Sequence, residues 1–189
     1  MTLSIACQCG QFQGELDTLL ARTHNRLRCY CDECQAFAHY LDNTENILEE
    51  QCGTDIPQVT AGAVTITTGK EYFGCVRLSP KGLRRWYAKY CNTPIGNAPS
   101  ASLPFIGLVH SSMTPHSAID QTFGPARLVA FTKFAAGAEK PTPRGLIGGI
   151  ARMVWRILRS KLRGDGKHHP FFDAVTRQPL VEPILKPPS

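Results

Sequence analysis

The chain has 189 residues, enough for one domain with a substantial core plus an appendage and too few for two full-sized domains. Its 42% hydrophobic and 19% charged residues are those of an ordinary globular chain, and the absence of any run of eighteen apolar residues excludes a membrane-spanning helix. The net charge of +6 sits in the tail: residues 1–139 carry 11 Lys and Arg against 12 Asp and Glu, whereas residues 140–189 carry 10 against 3.

The opening "MTLSIACQCG" has neither the basic nor the long apolar stretch of an export signal, so a cytoplasmic location is expected. Reducing cytosol keeps thiols free. Eight cysteines in that setting point to metal or redox chemistry rather than to a disulfide frame. Short alternating or β-branched stretches follow at "LSIAC", "QFQGELD", "NRLRCYC", "AVTITTG", "GCVRLS" and "LRRWYAKY", and glycines and Pro80 punctuate them. Two short helices are expected among these strands. "DECQAFAHYL" opens at Asp32, and "TENILEE" has Thr44 as its candidate cap. Two more strands are expected in "FIGLVHS" and "ARLVAFTKF". "GAEKPTPRG" then reads as a boundary, which places a core domain at residues 1–139 and a basic extension at 140–189.

The cysteines form two local groups and three single positions. Cys7 and Cys9 flank one residue and precede Gly10, whose conformational freedom permits a turn that brings two sulfurs together. Cys29, Cys31 and Cys34 offer three ligands from a strand end and the start of a helix, where a helix N-terminus suits anionic thiolates. Zinc takes four ligands, with sulfur at about 2.3 Å, so three protein ligands leave one position exchangeable, as catalytic zinc requires. The alternatives for these cysteines are a redox pair or buried small residues. Cys52 and Cys75 read as structural, and His24 or His39 could close the fourth position beside the triple-cysteine segment.

"CQCG", "CYCDECQAF" and "RRWYAKYCNTPIGN" together resemble, in order and spacing, the cysteine blocks of the glutathione-dependent formaldehyde-activating enzyme and centromere protein V family. The likeness covers residues 3–97. It implies a mainly β fold, a β-tent of small coiled antiparallel sheets with two zinc sites. By the same resemblance Cys29, Cys31 and Cys34 match the open catalytic site, while Cys7, Cys9 and Cys91 match the structural one. The family closes its structural site with a fourth cysteine, where this chain has Ala88, and it carries glycine where this chain has Asn92. Water, Cys75 or a histidine could take the missing place, or the site could be empty.

An open three-thiolate zinc favours a further sulfur ligand, and a bound thiol loses its proton and adds to an aldehyde carbon. The expectation is therefore a zinc-dependent carbon-sulfur lyase acting on a glutathione or other small-thiol adduct. Arg26, Arg28, Arg77, Arg84, Arg85 and Lys89 could offset thiolate charge or hold glutathione carboxylates, or could simply lie on solvated strand faces. No Ser-His-Asp set, phosphate loop or paired-carboxylate motif stands out. The alternative is a non-catalytic, zinc-stabilised module that binds through its tail.

That tail contains a cationic amphipathic helix over residues 144–163. Arg152, Arg156, Arg159 and Arg163 recur at helical spacing, Ile150, Met153, Val154, Ile157 and Leu158 occupy another face with Trp155 at its edge, and Gly164 is a natural stop. The apolar face could dock on the β-core, or meet an anionic membrane surface or protein partner. Nucleic acid is the weakest reading, because no aromatics interleave the basic stripe. "HHPFFD" reads as a loop anchored by its aromatics or as a histidine pair for metal, and the closing prolines predict an extended, irregular end.

Overall fold

The computed structural model describes residues 2–21, 25–163 and 168–186, with the side chains of Ala21 and Arg163 outside the description. His24 and Gly164 also lie outside the described residues. The strands are β1 (Thr2–Ala6), β2 (Gln13–Asp17), β3 (Asn25–Cys29), β4 (Thr54–Thr60), β5 (Val64–Thr68), β6 (Phe73–Arg77), β7 (Arg84–Ala88), β8 (Thr93–Ala98), β9 (Phe105–Leu108), β10 (Met113–Thr114), β11 (Leu128–Ala130) and β12 (Ile184–Leu185). The helices are α1 (Thr18–Ala21), α2 (Asp32–Tyr40), α3 (Thr44–Ile47), α4 (His116–Phe123) and α5 (Leu146–Arg163). The fold is mainly β, as the sequence suggests.

One sheet has the order β10-β1-β2-β5 and the other β11-β3-β4-β9-β8-β7-β6-β12. Pairing is antiparallel except at the two edges of the larger sheet, where β11 runs parallel to β3 and β12 parallel to β6. Alternation sets the faces. Leu3 and Ile5 of β1 point inward while Thr2 and Ser4 point out, as a half-buried strand requires. Leu3, Ile5, Leu16 and Ile66 of the smaller sheet share a core with Phe73, Trp86, Ile95 and Ile106 of the larger one. Each such side chain contributes about 2 kcal/mol of burial.

The same period of two splits β7. Trp86 and Ala88 face this inter-sheet core, whereas Tyr87 joins Phe37 of α2, Leu41 just after it and Ile47 of α3 on the opposite face. Arg85 shares that opposite face, its guanidinium carbon lying 5.6 Å from the Phe37 ring centroid. This places a cation under α2.

Several elements differ from expectation. β4 is not marked in the sequence because Pro57 argues against a strand interior, yet its ladder with β9 begins only at Gln58, so Pro57 is paired on one side alone. β8 hides behind Pro94 and Gly96 and is buried at every position between β7 and β9. Thr44 opens α3 but caps nothing, since Asn43 holds the cap position, and its side chain makes no capping hydrogen bond but accepts from Asn46 Nδ2 at 2.7 Å. "GAEKPTPRG" is tied down at its end, where Arg144 and Val129 exchange backbone hydrogen bonds of 3.0 and 3.1 Å. The C-terminal segment also enters the core: Phe171 stacks on Trp86 at 5.0 Å, and Phe172 packs edge-on against the same ring. His169 lies edge-on to Phe172 at 4.7 Å, so the "HHPFFD" loop is anchored by its aromatics.

α5 docks through only one edge of the face its hydrophobic residues suggest. Met153 and Ile157 turn inward beside the buried Gly149 and Ser160, but Ile150, Val154 and Leu158 are exposed. The inward face is chosen by close approach: a Cβ on Gly149 would come within 3.0 Å of the Leu128 side chain. Asn25 fixes this setting, donating from Nδ2 to the Gly149 carbonyl and accepting from Arg152 Nε, each at 2.9 Å.

Candidate metal centres

β3 ends at Cys29, which pairs with Thr54 of β4 and Ala130 of β11. Tyr30 continues the ladder by donating its N–H to the Ala130 carbonyl at 3.1 Å. The chain then turns into α2, with Cys31 at the N-cap position. Its carbonyl accepts from the N–H groups of Cys34 and Gln35 at 3.0 and 3.2 Å. One strand end and one helix start therefore hold all three sulfurs. Cys29 and Cys31 Sγ are 3.3 Å apart, and the three sulfurs lie within 4.8 Å of one another. Cys29 and Cys34 are buried, and Cys31 is half-exposed, so the cluster opens to solvent on its Cys31 side.

Three free thiols at this spacing fit a metal ion, since thiolates around zinc converge at about 2.3 Å from the ion. Among the described residues no histidine, carboxylate or further cysteine joins them. His39 is exposed on α2 and is not part of the group.

The electrostatics favour thiolate at Cys34. Hydrogen bonds from the Cys29 and Cys31 thiols, then the charge of Arg85, hold it well below the ordinary thiol value against the opposing effect of burial. Cys29 is pushed up, first by its hydrogen bonds to Cys31 and Cys34 and then by burial. Arg85 Nη1 lies 3.8 Å from Cys34 Sγ and 3.5 Å from Asn97 Oδ1, while Nη2 donates to Glu33 Oε2 at 3.0 Å. Burial alone would lower this guanidinium, but Cys34 and Glu33 outweigh it and raise its pKa, keeping the group charged. Glu33 is itself held by the Ser79 hydroxyl at 2.7 Å.

Of the six basic residues that sequence singles out, Arg85 alone contacts a cysteine sulfur among the hydrogen bonds of the described residues. Arg26 is engaged by Asp55 and Asp120, Arg28 by Glu49, Arg77 by the Pro80 and Gly82 carbonyls, and Arg84 by the Pro99 carbonyl. Lys89 is exposed. The signal for Arg85 was present in the sequence, because a tryptophan committed to one face of β7 sends its neighbour to the other.

The second cluster joins the two sheets. Cys7 and Cys9 sit in the turn between β1 and β2, closed by the Gly10 N–H to the Cys7 carbonyl at 3.0 Å with Gly10 at φ +75. Cys91 sits in the turn between β7 and β8. Cys7 and Cys9 Sγ are 3.3 Å apart, and Cys91 lies within 4.8 Å of both. Asn92 takes φ 51, a left-handed conformation that asparagine tolerates in place of glycine. Thr93 ties the turns: its hydroxyl accepts the Gln8 N–H at 3.0 Å and lies 3.1 Å from Cys91 Sγ. Burial pushes the Cys91 thiol up, but hydrogen bonds from Thr93 and Cys9 prevail and hold it at about 7.

Ala88 is buried in the inter-sheet core, paired with Thr93 across the strands. Cys75 is buried opposite Trp86 and belongs to neither cluster, so among the described residues this group also has three ligands. Both clusters can hold a metal ion. Cys91→Ser is expected to remove one metal equivalent from the reduced protein, measured by plasma mass spectrometry, while Cys34→Ser removes the other. Unchanged metal content after Cys91→Ser would exclude metal from the inter-sheet cluster.

Two sheets, a C-terminal helix and two three-cysteine clusters define a mainly β protein with two candidate metal centres. The chain belongs to a family of unknown function (DUF6151), which matches residues 1–173. No curated protein matches it. Among solved structures it is similar to the crystal structure of a Rhodobacter sphaeroides protein from a structural genomics programme, with 13% identity and a TM-score of 0.43, over 59% of this chain and 88% of that one.

Proposed function

We propose that the protein is a zinc-dependent carbon-sulfur lyase that makes or breaks the bond between a small thiol, such as glutathione, and an aldehyde carbon at the Cys29, Cys31 and Cys34 centre. One observation carries this reading. Three sulfurs converge without a fourth His, Cys, Asp or Glu among the described residues, beside a helix N-terminus and a buried arginine. Zinc held by three thiolates supplies a Lewis-acidic position that favours a fourth sulfur. The inter-sheet cluster lacks the arginine and the helix, and its bridging of two turns suits a structural role.

The protein's own groups set the charge. Arg85 and the first turn of α2 stabilise the Cys34 thiolate, which lowers the energy of gathering negative sulfur in a partly buried place. The half-exposed side of Cys31 gives a small thiol its approach. Gln35 limits movement there, donating from Nε2 to the carbonyls of Tyr30 and Phe134 at 2.8 and 2.9 Å and so joining α2 to the loop after β11. In the addition direction the thiol gives up its proton, sulfur bonds to the aldehyde carbon, and the carbonyl oxygen gains a proton to become hydroxyl. The reverse reaction returns thiol and aldehyde.

The test is spectroscopic. Protein loaded with cobalt in place of zinc is expected to change its thiolate-to-cobalt absorption when glutathione is added, and Cys34→Ser is expected to abolish that change. Spectra indifferent to excess glutathione would count against an exchangeable position. Loss of folding in Cys34→Ser, with no thiol response in the parent protein, would mark the centre as purely structural.

A further inference from the structure

The tail helix presents a second surface, unrelated to thiol chemistry. Ile147, Ile150, Val154, Leu158 and Leu162 recur at spacings of three and four and form one stripe along α5. Their side chains point away from the core: Ile147 is 87% exposed and Leu162 90%. Trp155, 64% exposed, borders the stripe. At 3.6 residues per turn, Arg159 and Arg152 form the next row beyond Trp155, the half-buried Arg156 follows where the helix meets the core, and the buried Gly149 and Ser160 complete the inward side. The order around the helix is core, apolar stripe with the exposed Lys161 at its inward edge, tryptophan, arginine row, core.

This stripe cannot roll inward. The Asn25 hydrogen bonds to Gly149 and Arg152 and the contact of Gly149 with Leu128 fix the rotation of the helix. The occupant must therefore come from outside. Residues 146–163 contain five Lys and Arg and no Asp or Glu, which calls for an anionic partner. A second copy seated on the stripe would bring two such cationic rows together, and nucleic acid makes no use of Ile, Val and Leu. An anionic lipid surface satisfies both features at once, with the stripe among acyl chains, Trp155 at the boundary and the arginines among headgroups. The helix is not long and apolar enough to cross a bilayer, so it would lie flat.

We propose that α5 docks this protein on anionic membrane surfaces through Ile147, Ile150, Val154, Trp155, Leu158 and Leu162, with the exposed Arg152, Arg159 and Lys161 contacting lipid headgroups. The full-length protein supplies its own reporter, because Trp86 is fully buried and Trp155 is not. Phosphatidylcholine vesicles containing phosphatidylserine are expected to float the protein and shift its tryptophan emission to the blue, and pure phosphatidylcholine vesicles to do neither. Trp155→Phe should lose the shift and keep flotation.

Reversing two charges with Arg159→Glu and Lys161→Glu should lower vesicle partition by about ten-fold or more. Leu158→Ser with Leu162→Ser should also abolish flotation, while metal content stays unchanged as the control for folding. Four results would overturn the proposal: no flotation on either vesicle, flotation indifferent to phosphatidylserine, retained flotation in the double-serine variant, or a dimer in light scattering that the two serine substitutions dissolve.

Discussion

Arg85→Met is expected to weaken metal binding at the Cys29, Cys31 and Cys34 centre by about 10- to 100-fold, the range typical of a group that supports a metal ligand without touching the ion. Arg85 is 2% exposed and bonded to Cys34 and Glu33, so its loss removes the cation that stabilises a thiolate in a buried place. Metal binding requires thiolates, and whatever raises the energy of deprotonating Cys34 subtracts from affinity. Competition against a chromophoric chelator measures this directly, and the inter-sheet cluster serves as the internal control whose affinity should not move.

Stability should fall as well, by about 3 kcal/mol in urea unfolding. This is the lower end of the range for breaking a buried pair, because Glu33 keeps 28% of its side chain in solvent and can be hydrated. Adding Glu33→Gln separates the effects: it should restore stability by removing the orphaned carboxylate, yet leave metal affinity weak. Unchanged affinity in Arg85→Met would show that Arg85 serves packing alone.

What the sequence reveals follows how local each feature is. Cys29, Cys31 and Cys34 lie within six residues, so spacing alone announces a ligand set, and the structure brings the three sulfurs together. The Cys7 and Cys9 pair is equally visible. Cys91 is different: its approach depends on two turns from two sheets meeting, and only the likeness of three separate blocks to a known family connects it to them. Arg85 is one of six basic candidates that the sequence leaves equivalent, and Thr93 carries no signal at all, because both roles depend on what lies across a sheet. The strands with clean alternation, such as β1 and β2, are legible, whereas β4 and β8 are concealed by prolines that position in the sheet makes harmless.

The helix shows a subtler limit. Periodicity identifies α5 as amphipathic, and a tail helix with an apolar face would ordinarily bury that face. Here a single small residue decides otherwise. Gly149 allows the backbone to approach Leu128, which sets Met153 and Ile157 inward and turns Ile150, Val154 and Leu158 toward solvent. Hydrophobic pattern reports that a face wants cover, but the closest backbone approach selects which face receives it.

Phe171→Ala is expected to destabilise the protein by about 4 kcal/mol, within the range for deleting a buried aromatic ring. The ring is fully buried, stacks on Trp86 at 5.0 Å and 15°, and meets Phe73 edge-on at 5.6 Å. Those two contacts place residues after α5 at the centre of the inter-sheet core, where a cavity would have rigid walls: Trp86 is fixed on β7 and Phe73 on β6. Because whole domains are stable by only about 5–15 kcal/mol, the loss is a large fraction of the total. Urea unfolding followed by Trp86 fluorescence, with Trp155→Phe as the background to remove the exposed reporter, gives the measurement. A loss under about 1 kcal/mol is what a loosely attached surface segment would give, and would mean that the aromatic contacts are not part of the cooperative core. A value near the expected one would make residues 168–173 as necessary to folding as the strands they cover, although the sequence marks them only by two phenylalanines after a proline.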